Sequence, residues 1–209
     1  MSEQTETSTD GRTDDVVAEV TVELADADAA RGYGAALAAL LRAGDLVVLT
    51  GDLGAGKTTL TQGIGTGLGV RGAVASPTFT IARVHPPLPR PDAPAADLGP
   101  ALVHVDAYRL GSLDEVDALD LDASLEESVT VVEWGEGLVE SLADDRLEVA
   151  LRRPRGSEGT TGGAAASDPV PGRTGPDADL EEVDASAGVR RVTVRARGDR
   201  WRGVPLPGA

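Results

Sequence analysis

Residues 46–59 read LVVLTGDLGAGKTT. The first five form a short, continuous apolar run closed by a threonine, the pattern of a strand buried on both faces. The residues after it, Gly51 to Thr58, fit G-x-x-x-x-G-K-[ST], the loop whose backbone cradles phosphates when it follows such a strand and opens a helix. Lys57 is the only lysine in 209 residues, every other permanent positive charge being arginine. A compact ammonium on a thin stem suits the crowded space beside β- and γ-phosphates better than a planar guanidinium does. Strand, loop and lysine together predict a nucleoside-triphosphate-binding α/β domain.

Working outward, VVAEVTVEL (16–24) alternates apolar and polar as a half-buried strand does, and Asp26 or Asp28 can cap an alanine-rich helix reaching about Ala43. The helix after the loop is poor by propensity: Gly63, Gly65, Gly67 and Gly69 each cost ~1 kcal/mol relative to alanine, so tertiary packing has to hold it. Further strands are expected at Phe79–Val84, Ala101–Asp106 and Val129–Glu133, two of them ending in a carboxylate. Arg146–Arg152 and Val189–Arg197 both alternate, and the segment between them would join them as an antiparallel pair. The expected architecture is a three-layer α/β/α P-loop fold with a mixed, mainly parallel sheet and an antiparallel C-terminal strand pair.

Three stretches lack the means to build a core. Residues 1–15 carry five acids against one arginine and are expected to form a disordered acidic tail without signal or transit character. Residues 85–100 hold six prolines in sixteen positions and read as a surface insertion. Residues 153–188 contain seven glycines, four prolines and no aromatic, the composition of a disordered loop. What remains suits one ordered domain, 16–209. The net charge of −16 is the wrong sign for gripping a nucleic-acid backbone unaided, so DNA is not an expected partner. With no cysteine, thiol chemistry and disulfides are excluded, and no apolar run approaches a membrane span. A cytoplasmic protein is expected.

The phosphate chemistry distributes itself over the loop Gly51, Asp52, Leu53, Gly54, Ala55 and Gly56 and the residues that follow. Amides from Gly54 to Thr58 at a helix N-terminus favour anions. Lys57 should reach the β- and γ-phosphates, Thr58 should ligate magnesium, and Thr59 should lie near the α-phosphate. Asp106, closing an apolar strand, reads as the carboxylate that holds magnesium directly or through water, the alternative being a solvated strand end. Glu133 and Trp134 fall at the same sheet edge, where ligands bind in open α/β sheets, yet a core tryptophan beside a surface glutamate fits the composition equally. Thr78, in Ser76-Pro77-Thr78-Phe79, could sense a γ-phosphate through magnesium, although alone the segment is an ordinary turn. His104 is expected to pack near the sheet, and His85 to be a loop residue.

GDLGAGKTT, SPTFT, VDAYRL and VEWGE, in that order and spacing, resemble the bacterial TsaE (YjeE) family of small P-loop ATPases over about residues 20–152. The resemblance implies ATP and Mg²⁺ as cofactors and a role in making threonylcarbamoyladenosine beside the tRNA anticodon. It implies TsaD and TsaB as partners, with ATP hydrolysis sustaining their turnover and tRNA met only indirectly. On it, Thr58 and Glu133 would be magnesium ligands, Asp106 a nucleotide or magnesium contact, Thr78 a switch residue and Trp134 a wall of the site. The inserts at 85–100 and 153–188 depart from the compact family pattern, so no role is carried onto the final strands.

Two other classes compete with a partner-dependent ATPase. A small-molecule or nucleotide kinase would need an acceptor pocket and usually an arginine-rich lid, which the proline-rich insert does not resemble. A switch GTPase normally reads guanine with N-K-x-D, impossible in a chain without asparagine whose one lysine lies in the loop.

Overall fold

The computed structural model describes residues 15–77, 80–89, 91, 98–110, 112, 115, 125–153 and 188–208. Its seven strands, β1 (Val16–Leu24), β2 (Leu46–Thr50), β3 (Ala82–His85), β4 (Ala101–Asp106), β5 (Ser128–Glu133), β6 (Arg146–Arg152) and β7 (Arg190–Arg197), form one sheet in the order β1-β7-β6-β2-β5-β4-β3. The four central strands β6, β2, β5 and β4 are parallel. The outer ladders, β3 on β4, β6 on β7 and β7 on β1, are antiparallel, of which the sequence predicts only the pair β6 and β7.

The helices α1 (Ala27–Ala38) and α2 (Lys57–Leu68) pack together on one face of this sheet. There Ala30, Leu37, Leu60 and Ile64 meet Val47, Leu49, Val129, Val131 and Val149 in the larger core. The alternate residues of the same strands, Leu46, Val48, Val103, Val105 and Val132, build a second cluster on the opposite face with Leu125 and Val139. A strand apolar on both sides, such as β2, is what two such cores require. The chain is thus an α/β P-loop fold on a mixed sheet with a parallel centre.

Asp26 caps α1, its carboxylate accepting from the Ala29 amide at 2.8 Å. The helix stops five residues short of the expected Ala43, because Leu40 and Leu41 turn back onto Leu37 and Ala38 and the Arg42 amide is captured by the Asp45 carboxylate at 2.8 Å. β3 starts at Ala82, later than expected: Thr80 and Ile81 donate to the Pro77 carbonyl, and Ile81 at φ 66° cannot continue a ladder. His85 is no loop residue; it closes β3 and is buried. The proline-rich stretch begins by crossing the end of α2, with Arg71 donating to Pro86 at 2.7 Å and Leu88 to Gly69 at 2.8 Å. Residues 90 and 92–97 of the expected insertion, nearly all of the expected acidic tail and the expected 153–188 loop, and Thr78 and Phe79 lie outside the described residues. Among the described residues no helix is long and apolar enough to cross a membrane.

Candidate functional site

β2 delivers the loop to the C-terminal edge of the sheet, and α2 starts at Lys57 immediately beyond it. Gly51 has to be glycine: at φ 141° any Cβ would stand 2.3 Å from the Leu151 carbonyl oxygen. Gly56, at φ 105°, is the N-cap of α2 and supplies no side-chain cap to the first turn of the helix, whose dipole favours anions. The Ala55 amide is spent within the loop on Asp52 O at 3.0 Å, whereas Leu53 projects into solvent.

Lys57 is buried and folds back on its own loop, Nζ donating to Gly51 O at 2.8 Å and Asp52 O at 3.1 Å. Its ammonium sits 3.6 Å from the centroid of the Trp134 ring, a cation–π contact. Burial pulls its pKa below the ordinary lysine value, and the charges of Glu133, Asp106 and Asp52 oppose that pull. Trp134 holds φ 63° and donates its amide to Leu49 O at 3.0 Å, with Tyr108 tilted against it at 5.2 Å between ring centroids. A large residue at positive φ is strained, and such strain persists where the surroundings over-determine it.

Thr58 reaches across to β5, its hydroxyl lying 2.9 and 3.1 Å from the two carboxylate oxygens of Glu133. Glu133 is 3% exposed, which rules out the surface-glutamate reading. Asp106 stands beside it in register across the β4–β5 ladder. The Asp106 carboxylate accepts from Ser76 Oγ at 3.2 Å and, capping the turn Ala107–Arg109, from the Tyr108 amide at 3.1 Å. Ser76 thus ties the start of its segment to the strand-end aspartate. Thr59 is half-buried in the first turn of α2.

Two residues at the site escape a reading of the sequence. His104, expected to do no more than pack, places Nε2 2.8 Å from Glu133 Oε1. The i, i+2 spacing puts His104 on the same strand face as Asp106, but only the β4–β5 register brings Glu133 within its reach. Arg190, at the start of β7, is 1% exposed and packs behind the loop, where a Cβ on Gly56 would meet its Nε at 3.0 Å. Nothing local marks it, because only the sheet order brings β7 near the loop.

The donor set suits a magnesium nucleotide. Magnesium usually takes one or two carboxylates together with substrate phosphates instead of a closed protein cage. Here one hydroxyl and two carboxylates converge, and among the described residues no group of three or more His, Cys, Asp or Glu could hold an ion by itself. A groove of about 980 Å³ starts at Gly51, Asp52 and Trp134 but runs over Val48, Arg146 and Glu148 on the sheet face away from α2, and Lys57, Thr58, Asp106 and Glu133 do not line it.

Residues 24–160 match the family described as threonylcarbamoyl adenosine biosynthesis protein TsaE. The tRNA threonylcarbamoyladenosine biosynthesis protein TsaE of Streptomyces coelicolor is 54% identical over 172 residues, covering 82% of this chain and 93% of its own. The protein of the same name from Mycobacterium tuberculosis H37Rv is 51% identical over 126 residues, 57% of this chain and 71% of its own. The crystal structure of Bacillus subtilis YdiB superposes with a TM-score of 0.55 at 26% identity, covering 90% of this chain and 91% of that one.

Proposed function

The chain belongs to the TsaE family, and on that premise we propose that it is a Mg-ATP-hydrolysing subunit of the machinery that forms threonylcarbamoyladenosine in tRNA. The observation that carries this reading is the contact of Thr58 with both oxygens of Glu133, with Asp106 in register alongside. A loop threonine and a strand-end carboxylate joined at the phosphate edge are the parts that hold magnesium in P-loop enzymes.

Thr58, Glu133 and Asp106 would hold the ion, which supplies charge neutralisation at the β- and γ-phosphates. Lys57 leaves the carbonyls of Gly51 and Asp52 and turns to the phosphates, exchanging two neutral acceptors for an anion, a stronger, charge-assisted bond. The amides of the first turn of α2 receive phosphate oxygens, with the helix dipole behind them. Trp134, already over the lysine, keeps water from that side of the site. Arg190 lies behind the loop and makes no arginine finger, and Gln62, the one described glutamine, donates to the Val74 carbonyl. Hydrolysis by the chain alone should therefore be slow, and the TsaD–TsaB pair should accelerate it. The acidic chain suits a subunit that meets tRNA through those partners and does not itself transfer the threonylcarbamoyl group.

ATP hydrolysis by the full chain, alone and with TsaD–TsaB, with GTP as control and Lys57→Ala and Glu133→Gln as variants, tests the proposal. Partner-stimulated, ATP-selective turnover that both variants lose is the expected result. Turnover indifferent to those partners would move the function to a kinase, and unchanged Mg-ATP affinity in Lys57→Ala would remove the loop assignment.

A further inference from the structure

His104 has no exposed surface, and its imidazole ends against the carboxylate of Glu133. A carboxylate only accepts hydrogen bonds, so Nε2 is the donor in this contact. The other ring nitrogen, Nδ1, is buried with no hydrogen-bond partner among the described residues. The neighbours on the same sheet face are Leu102 and Val131, with Arg83 as the register partner of His104 on β3 and His85 near enough to act on it electrostatically. A leucine at position 104 would fill the space without leaving a polar atom unmade, so packing alone does not account for an imidazole here. An unsatisfied buried group held against a residue of the phosphate edge points to a role in that site.

We infer that His104 is a positioning residue for Glu133: by donating to Oε1 it fixes the carboxylate plane, so that Thr58 and the metal meet it in one orientation. Thr58 alone does not fix that plane, since its hydroxyl lies within reach of either oxygen. Metal-binding carboxylates are commonly oriented by such hydrogen bonds, and removing the donor typically weakens metal affinity 10–100-fold. The inference rests on the reading of Glu133 as a magnesium ligand.

The test compares the full-length wild type with His104→Leu, His104→Gln and Glu133→Gln. In the nucleotide-free protein, long-range ¹H–¹⁵N NMR should find the Nε2–H tautomer at His104, with His104→Gln leaving only the His85 signals. In ATP-binding titrations, His104→Leu should need about 10–100-fold more Mg²⁺ for half-saturation. Its ATP affinity in EDTA and its melting temperature should match or exceed wild type. His104→Gln, whose amide can still donate, should recover most of the loss. An Nδ1–H tautomer, a wild-type Mg²⁺ requirement in His104→Leu, or an equal loss with and without Mg²⁺ would overturn the inference. If the wild type and Glu133→Gln bind ATP alike at every Mg²⁺ concentration, Glu133 is no metal ligand, and the inference falls with that reading.

Discussion

Replacing Gly63 by alanine should destabilise the protein, although helix propensity favours the change. Alanine in a helix interior gains ~1 kcal/mol over glycine. Against this, a Cβ on Gly63 would sit 2.1 Å from the Arg31 carbonyl oxygen and 2.8 Å from Arg31 Cα, both backbone atoms of α1. Carbon–oxygen contacts settle near roughly 3.3–3.6 Å, so α1 would have to withdraw by roughly 1 Å. It has no slack to do so: a Cβ on Gly34 would in turn meet the Leu60 carbonyl of α2 at 2.3 Å, and both helices are clamped into the same core. Overpacking costs about 1–3 kcal/mol, and a collision of backbone with backbone belongs at the upper end. The net loss is about 1–2 kcal/mol, a fall in Tm of roughly 2–8 °C for a domain of this size. Gly32, exposed on α1 with nothing within 4 Å of an added Cβ, is the control, and Gly32→Ala should raise stability by about 0.5–1 kcal/mol. Thermal melts followed by far-UV circular dichroism, with urea titrations, measure both. A Gly63→Ala protein that melts at or above wild type would refute the close-approach argument.

Three further outcomes are expected. Lys57 has to leave the carbonyls beneath Trp134 to reach a phosphate, so Mg-ATP should change Trp134 fluorescence in a Trp201→Phe background; an unchanged spectrum at saturating nucleotide would mean that the tryptophan does not cover the lysine. Burial pushes the Tyr33 pKa up from 10.0 to about 12, a group raised in the folded state, so its contribution is full below pH 10 and lost as pH rises through 12. The advantage of wild type over Tyr33→Phe should thus shrink by about 2–3 kcal/mol across that window, and parallel stability curves would contradict it. Trp201 is fully buried beneath Arg200, whose guanidinium lies 4.3 Å from its ring, so Trp201→Ala should cost about 3–5 kcal/mol in urea titrations, and a loss under about 1 kcal/mol would show that the C-terminal turn is dispensable.

The parts of the site that lie along one stretch of chain are legible in the sequence. LVVLT followed by the glycine loop specifies strand, turn and helix by local chemistry, and Lys57 and Thr58 sit where that reading puts them. Asp106 and Glu133 can be picked out because apolar strands ending in acids are visible in sequence. That they lie side by side is a fact of register, which no single segment contains. The glycines of α2 read as defects for the same reason. Gly63 and Gly67 answer to the surface of α1, an added Cβ on Gly67 meeting Ala38 Cβ at 2.5 Å, whereas Gly65 answers to Val74, 2.7 Å from its would-be Cβ, and Gly69 caps the helix at φ 68°. Trp201 gives no periodic signal, because it is anchored by a short turn after the last strand. The end of α1 is hidden from a local reading because Asp45, beyond the helix, is itself held by Arg200 at 3.1 Å from the far end of the chain.

The place of β1 in the sheet bears on how the molecule is made. Its one strand partner among the described residues is β7, and Thr21 and Thr193, whose hydroxyls meet at 2.9 Å, are 172 positions apart in sequence. Bringing such distant segments together costs loop-closure entropy before any contact repays it, and folds dominated by pairings of this kind form slowly. A chain emerging from the ribosome can assemble β2, α2, β4 and β5 around the phosphate loop while β1 still has no strand to pair with. β1 finds its ladder only after β7, at Arg190–Arg197, has been synthesised. Until then, its open edge is the segment most exposed to mispairing between nascent chains.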